Sequence, residues 1–390
     1  MQSARRNQAQ IETGHVAALD GVRGIAVLYV FVLHFGGGAQ SPNWLVRTAG
    51  ETIKMGWSGV TLFFVLSGFL ITGILWKSRG TTHWWRNFYT RRCLRIFPLY
   101  YLSLLLVLAV SLFRHTTWEL GPSFVVFGFY LQNFPFPTKV HELTGIWVTH
   151  FWSLAVEEHF YFFWPFLLVA MPSLRRARQM CVAIFLLSMA SRLWISLLGA
   201  AGFEGLYSST PARVGELSVG AWLALAVGEH PEWVAKMRRM ALPVLFGSLG
   251  AVVIYVAITG DFSARQQAGY LFVLPAFSFA AAALIVLALE QGAWSRLVSL
   301  PLLRHLGVIS YGIYVYHVLF RDFYASVVTR LAPNLSKDAQ LVVVFFVAAG
   351  LTLFIAEISY NFLERPLLGL KERFAPRVRA ASTIPESIRN

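Results

Sequence analysis

Long apolar stretches separated by short polar loops set the rhythm of this chain. Candidate stretches run over 16–36, 57–76, 96–113, 152–171, 180–199, 210–228, 240–259, 270–290, 307–329 and 340–363. Each is close to the roughly 20 residues that an α-helix needs to cross a bilayer. An eleventh stretch, 122–134, is short and runs into PFP. It suits a re-entrant or interfacial segment better than a crossing. The pattern predicts an all-α fold: a polytopic transmembrane helical bundle of about ten spans.

Composition points the same way. Hydrophobic residues make up 56% of the 390 residues, charged residues only 13%, and the mean hydropathy is +0.58. One soluble core cannot hide that much apolar surface, whereas lipid can. Phe at 32 and Trp at 13 match lipid-facing and interfacial positions.

A formal charge of +14 would suggest nucleic acid in a soluble protein. Here most of the 33 Lys and Arg residues sit in short loops, where they fix topology and face anionic headgroups. Ten spans gather Arg5, Arg6, Arg79, Arg86, Arg91, Arg175, Arg176, Lys236, Arg238 and the basic C-terminal residues on one side. The other side keeps only Arg47, Lys54, Arg114, Lys139, Arg265, Arg330 and Lys337. An eleventh span would flip every loop after 134 and place the 175–178 cluster outside. Both termini are therefore expected in the cytosol.

Arg5 and Arg6 before an apolar run, with GGGAQS after it, raise the question of a signal peptide. Asp20 and Arg23 abut that run, which favours a retained first span. Three segments result: a cytosolic N-terminal segment 1–15, one membrane domain 16–366, and a basic disordered cytosolic tail 367–390. Cys93 and Cys181 have no metal or redox spacing.

Ionisable groups inside spans are costly, so each is a candidate for function. Arg23 and His34 lie eleven residues apart in the first span, about three helical turns, and so share a face. His34 suits a general base, or is a hydrogen-bonded packing histidine. Arg23 either joins it or snorkels to the headgroups. Arg92 and Arg95, three apart before the third span, share a face that can hold phosphates bidentately, although topology alone explains basic residues there. Glu157 and Glu158 open the fourth span in an otherwise apolar helix. Adjacent positions diverge by about 100°, so at most one of the two is expected to point squarely inward. It would orient His34, polarise a hydroxyl or pair with Arg23; the alternative is a purely structural ion pair.

Ser310, Tyr311, Tyr314 and His317 form a polar stripe in the ninth span, fitting either an acceptor-binding face or interhelical hydrogen bonds. Arg213 and Glu216 are expected to pair at i and i+3, Glu357 is a further charge in the last span, and Glu364–Arg365 read as its boundary.

LDGVRGIAVLYVFVLHF, GVTLFFVLSGFLITG, FYTRRCLRIFPLYY, WSLAVEEHFYFFWP, LGVISYGIYVYH and LERP, in that order, resemble the acyltransferase 3 family of bacterial membrane acyltransferases. The resemblance covers residues 16–366 and includes an Arg-x10-His element (Arg23, His34) and an Arg-x-x-Arg element (Arg92, Arg95). It implies a multi-pass inner-membrane O-acyltransferase. An acyl group, expected to be acetyl, would move from cytosolic acyl-CoA to a hydroxyl of an exported, cell-surface or lipid-linked glycan. In that reading His34 is catalytic with Arg23, Glu157 and Glu158, the donor lies against Arg92 and Arg95, and Tyr311, Tyr314 and His317 contact the acceptor. No metal and no permanently bound cofactor is implied, and the chain resembles the form without a fused soluble domain.

Two rivals use the same features. A secondary transporter or flippase also carries intramembrane charge, but repeat halves and matched broken helices are not visible here. A non-catalytic scaffold of a glycan-assembly complex would not need Arg23 and His34. Formation of an alkali-labile ester separates the enzyme from the transporter, and loss of transfer on replacing His34 with Ala separates it from the scaffold.

Overall fold

The computed structural model describes residues 16–375 apart from 37–49, 51, 137, 200–205, 228–230, 261–266 and 291. The N-terminal segment 1–15 and the tail from 376 onward lie outside the described residues. Among the described residues every regular element is helical. The helices are α1 (Ala17–Gly36), α2 (Ser58–Ser78), α3 (Trp84–Phe113), α4 (Thr117–Gly128), α5 (Val140–Thr144), α6 (Trp152–Ala170), α7 (Leu174–Leu197), α8 (Thr210–Val227), α9 (Pro231–Thr259) and α10 (Gln267–Ala288). They continue with α11 (Ala293–Val298), α12 (Pro301–Val308), α13 (Ser310–Leu319), α14 (Arg321–Leu331) and α15 (Lys337–Ser359). A π-helical turn over Tyr360–Glu364 and two short helices, Arg365–Gly369 and Lys371–Phe374, close the described chain.

Polarity is inverted relative to a water-soluble core. Leu105, Phe113, Phe162, Phe246 and Ile258 stand exposed on the outside, while Arg192, Arg213 and Glu216 are buried. That arrangement suits a lipid exterior. Among the described residues seven helices are long and apolar enough to cross a membrane, from Ala17–Gly36 to Ala339–Phe374. α6 and α8, where spans were also expected, are 19 and 18 residues long; α8 carries the buried Arg213 and Glu216, and α6 carries Glu157 and Glu158.

Local chemistry sets the element ends. Ser173 caps α7 by accepting the Arg176 N–H at 3.3 Å, and Ser336 caps α15 from Ala339 N–H at the same distance. Pro301 occupies the first turn of α12, where its missing N–H costs nothing. α4 has only 12 residues, consistent with a segment that does not cross.

The ninth stretch departs from expectation. Residues 307–329 do not form one helix: the chain breaks at Ile309 (φ −91°, ψ 7°) and at Phe320 (φ −109°, ψ 24°), giving α12, α13 and α14. The first break is hidden because Ile309 is itself apolar, whereas Arg321 and Asp322 directly after Phe320 were the available signal for the second. The first residues of the segment read as a tail, 367–375, are helical and docked. Arg91 donates from Nη2 to Ala375 O at 2.6 Å and to Glu372 Oε1 at 3.1 Å.

α2 and α8 pass at the centre, packed against each other and against α1, α6, α7 and α10. A Cβ on Gly68 would lie 1.9 Å from Leu217 O, and one on Gly220 would lie 1.8 Å from Val65 O. Only glycine permits that backbone approach, the small-residue packing expected where lipid supplies no hydrophobic drive. One end of the bundle gathers basic side chains. There Arg79 Nη2 donates to Met171 O at 2.9 Å, near the junction of α6 and α7, and Arg91 holds the C-terminal helices.

Candidate active site

A cavity of about 100 Å³ lies inside this basic end. α1 supplies Arg23, α2 supplies Ser67, α3 supplies Arg92 and Arg95, α6 supplies Glu157, Glu158 and Tyr161, and α13 supplies Ser310, Tyr311 and Tyr314. Seven of the nine residues singled out from the sequence for catalysis, donor or acceptor thus meet around the cavity, with Tyr311 and Tyr314 among them. Arg92 and Arg95 sit one turn apart on α3 and reach it together. The Arg92 guanidinium lies 5.4 Å from the centre of the Tyr161 ring, a cation–π contact that fixes its plane. Tyr161 and Ser67 share a short hydrogen bond between their hydroxyls.

Both glutamates line the cavity, against the expectation that at most one would point squarely inward. Ser153, Leu154, Glu157, Glu158 and Tyr161 all line it, so the wall takes in a stripe of α6 broad enough for side chains about 100° apart. Arg23 pairs with Asp20, Nη1 to Oδ1 at 2.7 Å, one turn back on its own helix. Its ion-pair partner is therefore Asp20 and neither Glu157 nor Glu158. Sequence reasoning treated Asp20 only as a flanking charge; its i, i+3 spacing to Arg23 was the available signal.

His34 is not part of the cavity wall. The eleven residues that put it on the Arg23 face also place it about 16 Å farther along α1. There it meets His317, with His34 Nδ1 3.3 Å from His317 Nε2 and ring centres 4.9 Å apart. A third imidazole, His150, stacks edge-on to His317 at 5.2 Å. It comes from the turn before α6, and sequence reasoning missed it because no periodicity links it to either partner.

Hydrogen bonds fix the protons of this cluster. His34 Nδ1 is 2.8 Å from Val30 O, and His317 Nδ1 is 2.7 Å from Tyr314 O. A carbonyl only accepts, so both Nδ1 atoms carry the proton in the neutral rings. His317 Nε2 then accepts from His34, and His34 Nε2 keeps a lone pair. His150 Nε2 donates to Val315 O at 3.2 Å, which leaves its buried Nδ1 without a hydrogen-bond partner. Burial first, then the nearby His34, push His150 down to about 3, so it stays neutral.

Tyr314 divides the two clusters. It lines the cavity, and its hydroxyl donates to His150 O at 2.7 Å on the other side, with Ser153 hydrogen-bonded to the same hydroxyl. The predicted acceptor stripe is therefore split: Tyr311 and Tyr314 line the cavity, while His317 belongs with His34. Tyr311 donates to Ile96 O at 2.7 Å, anchoring α13 to α3.

The charges outside the cavity were legible only in part. Arg213 Nε lies 2.9 Å from Glu216 Oε1, as the i, i+3 spacing predicts, and Arg192 Nη2 from α7 reaches Glu216 Oε2 at 2.7 Å. Phe64, Trp152 and Tyr207 surround the Arg213 guanidinium at 5.1–5.7 Å. Glu364, read as a boundary, is buried at 7% exposure; Ser359 Oγ donates to it at 3.3 Å, and Gly312 packs against it. The π-helical turn rotates it inward, which a simple helical wheel does not foresee. Glu357 pairs with His305 from α12. Among the described residues no group of three or more His, Cys, Asp or Glu is placed to hold a metal ion.

The family described as an acyltransferase domain matches residues 16–360. The chain is 28% identical over 376 residues to the peptidoglycan O-acetyltransferase OatA of Listeria monocytogenes, covering 90% of this chain and 56% of that protein. It is 30% identical over 373 residues to YrhL of Bacillus subtilis, which carries the same designation provisionally, covering 90% and 55%. A Staphylococcus aureus protein provisionally named an O-acetyltransferase is 26% identical over 396 residues, covering 96% and 60%. The chain thus spans a little over half the length of these relatives. No solved structure matches it.

Proposed function

Because the chain belongs to the acyltransferase 3 family, we propose that it is an integral membrane O-acyltransferase that moves an acetyl group from acetyl-CoA to a hydroxyl of an exported glycan. The relatives' names make peptidoglycan the first acceptor to test. Ten spans of the bacterial inner membrane, with both termini in the cytosol, place the basic end of the bundle where the donor is. Arg92 and Arg95 take the phosphates of coenzyme A at the mouth. The cavity of about 100 Å³ behind that mouth admits the donor's thioester arm.

The observation that carries this reading is the proton arrangement at His34. A base must present a lone pair, and the Val30 carbonyl leaves that lone pair on Nε2. The acyl group passes Tyr314 to reach it. His34 Nε2 takes the proton of the acceptor hydroxyl as that oxygen attacks the thioester carbonyl. The C–S bond then breaks and the proton passes from His34 to the departing thiolate. Arg23 and the cavity carboxylates set the charge along the path by which the donor's thioester arm reaches His34, and His317 accepts from His34 Nδ1–H as Nε2 becomes positive. No metal and no bound cofactor enters this scheme.

Mass spectrometry of surface glycans from cells with and without the protein tests the reading. The mass of an acetyl ester on the glycan, present only with the protein, is the expected result. Identical glycans in both, or a glycan that moves across the membrane unesterified, favour a transporter.

A further inference from the structure

A polar cluster at the other end of the bundle belongs to neither the cavity nor the histidines. α5 ends at Gly145, whose φ of +72° turns the chain back so that the Trp147 ring lies 3.7 Å from that of His141. Both rings donate to one carboxylate. His141 Nε2 is 2.8 Å from Asp322 Oδ2, and Trp147 Nε1 is 2.9 Å from Oδ1. Arg321, next in the chain, sets its guanidinium 5.9 Å from the Trp147 ring centre.

The position of the cluster is fixed by its neighbours. Arg114, at the C-terminal end of α3, lies against the same segment, Nη1 to Leu143 O at 3.5 Å. The cluster therefore sits at the end of α3 opposite Arg92 and Arg95, roughly 30 Å along the helix. It is also next to the histidines. Trp147 is three residues before His150, and Arg321 is four after His317.

We propose that His141, Trp147, Arg321 and Asp322 form the docking site for the acceptor glycan, immediately outside His34. The inference rests on the O-acyltransferase reading above. Asp322 has four lone-pair directions and uses two on its aromatic donors. Its side chain is 54% exposed, so the remaining acceptors face adjacent hydroxyls of a sugar ring. Arg321 is exposed and offers donors for a ring oxygen or an N-acetyl carbonyl. The aromatic pair supplies an apolar surface for the C–H face of a pyranose. A purely structural brace is a poor account, because an ion pair this exposed is screened by water and ties two segments together weakly. Two donors on one carboxylate do something else: they hold it in a single orientation before any ligand arrives.

The test uses the full chain in membrane vesicles, with acetyl-CoA as donor and a soluble N-acetylglucosamine–N-acetylmuramic acid oligomer as acceptor. Asp322→Asn and Trp147→Phe should each raise the acceptor KM about tenfold while the donor KM stays at the wild-type value. Asp322→Glu should recover part of the loss. An unchanged acceptor KM, or equal losses for donor and acceptor, overturns the proposal. Wild type that consumes acetyl-CoA but esterifies no oligomer overturns the glycan assignment and leaves the acyltransferase reading standing. Wild type that does not use acetyl-CoA removes that reading, and the docking site with it.

Discussion

Arg92 and Tyr314 do different work, and single substitutions separate them. Arg92→Lys keeps a positive charge at the mouth but loses the planar fork that matches phosphate and stacks on Tyr161. The expected outcome is a donor KM raised about tenfold with a smaller change in kcat, since charge-assisted hydrogen bonds are worth roughly 1.5–3 kcal/mol. Tyr314→Phe removes the hydroxyl that donates to His150 O and receives Ser153. The tie from α13 to His150 O is then lost from the wall between cavity and histidines, although Ser153 Oγ still reaches that carbonyl at 3.4 Å. Transfer should fall while donor KM holds, because the change lies beyond the thioester pocket. Steady-state kinetics against varied acetyl-CoA checks both, and a donor KM that rises only in the tyrosine variant contradicts the placement.

At the scale of elements, stability rests on backbone contact and buried charge. Gly220→Val pushes a side chain into Val65 O, where even a Cβ sits at 1.8 Å, and should abolish recovery of folded protein in detergent. Gly247→Ala meets nothing within 4 Å and should leave the melting temperature unchanged or slightly raised. Glu216→Ala strands two buried guanidinium groups, at a cost of about 3–5 kcal/mol, read as a lowered melting temperature. These elements also show what the sequence could disclose. The Arg213–Glu216 and Arg92–Arg95 relations lie within single helices, where spacing dictates geometry. Arg192 joins Glu216 from another helix, and His150 joins His317 from a loop, so no periodicity announces either. The break at Ile309 was invisible for a related reason: the chain is largely apolar on both sides of it, whereas the break at Phe320 left a trace in the charged pair Arg321–Asp322 that follows. Arg23 and His34 share a face as predicted, yet a face is a line 16 Å long here. It serves two clusters instead of one.

Across the whole molecule, the two clusters and the polar rim fall in series from the basic end to the opposite end. The proposed topology assigns the basic end to the cytosol, and cysteine accessibility tests it. In a background lacking Cys93 and Cys181, Lys139→Cys should react with an impermeant maleimide added outside spheroplasts. Ser173→Cys should react only after the membrane is opened. The reverse pattern would turn the donor mouth away from acetyl-CoA. The most direct measurement of the central claim is transfer of radiolabel from acetyl-CoA to alkali-labile ester in membranes carrying wild type or His34→Gln. Glutamine retains an amide donor for Val30 O but offers no basic nitrogen. The account predicts ester formation by wild type and a loss of about 10²–10⁴-fold in His34→Gln at equal protein levels. Ester formation by the variant at the wild-type rate would contradict it.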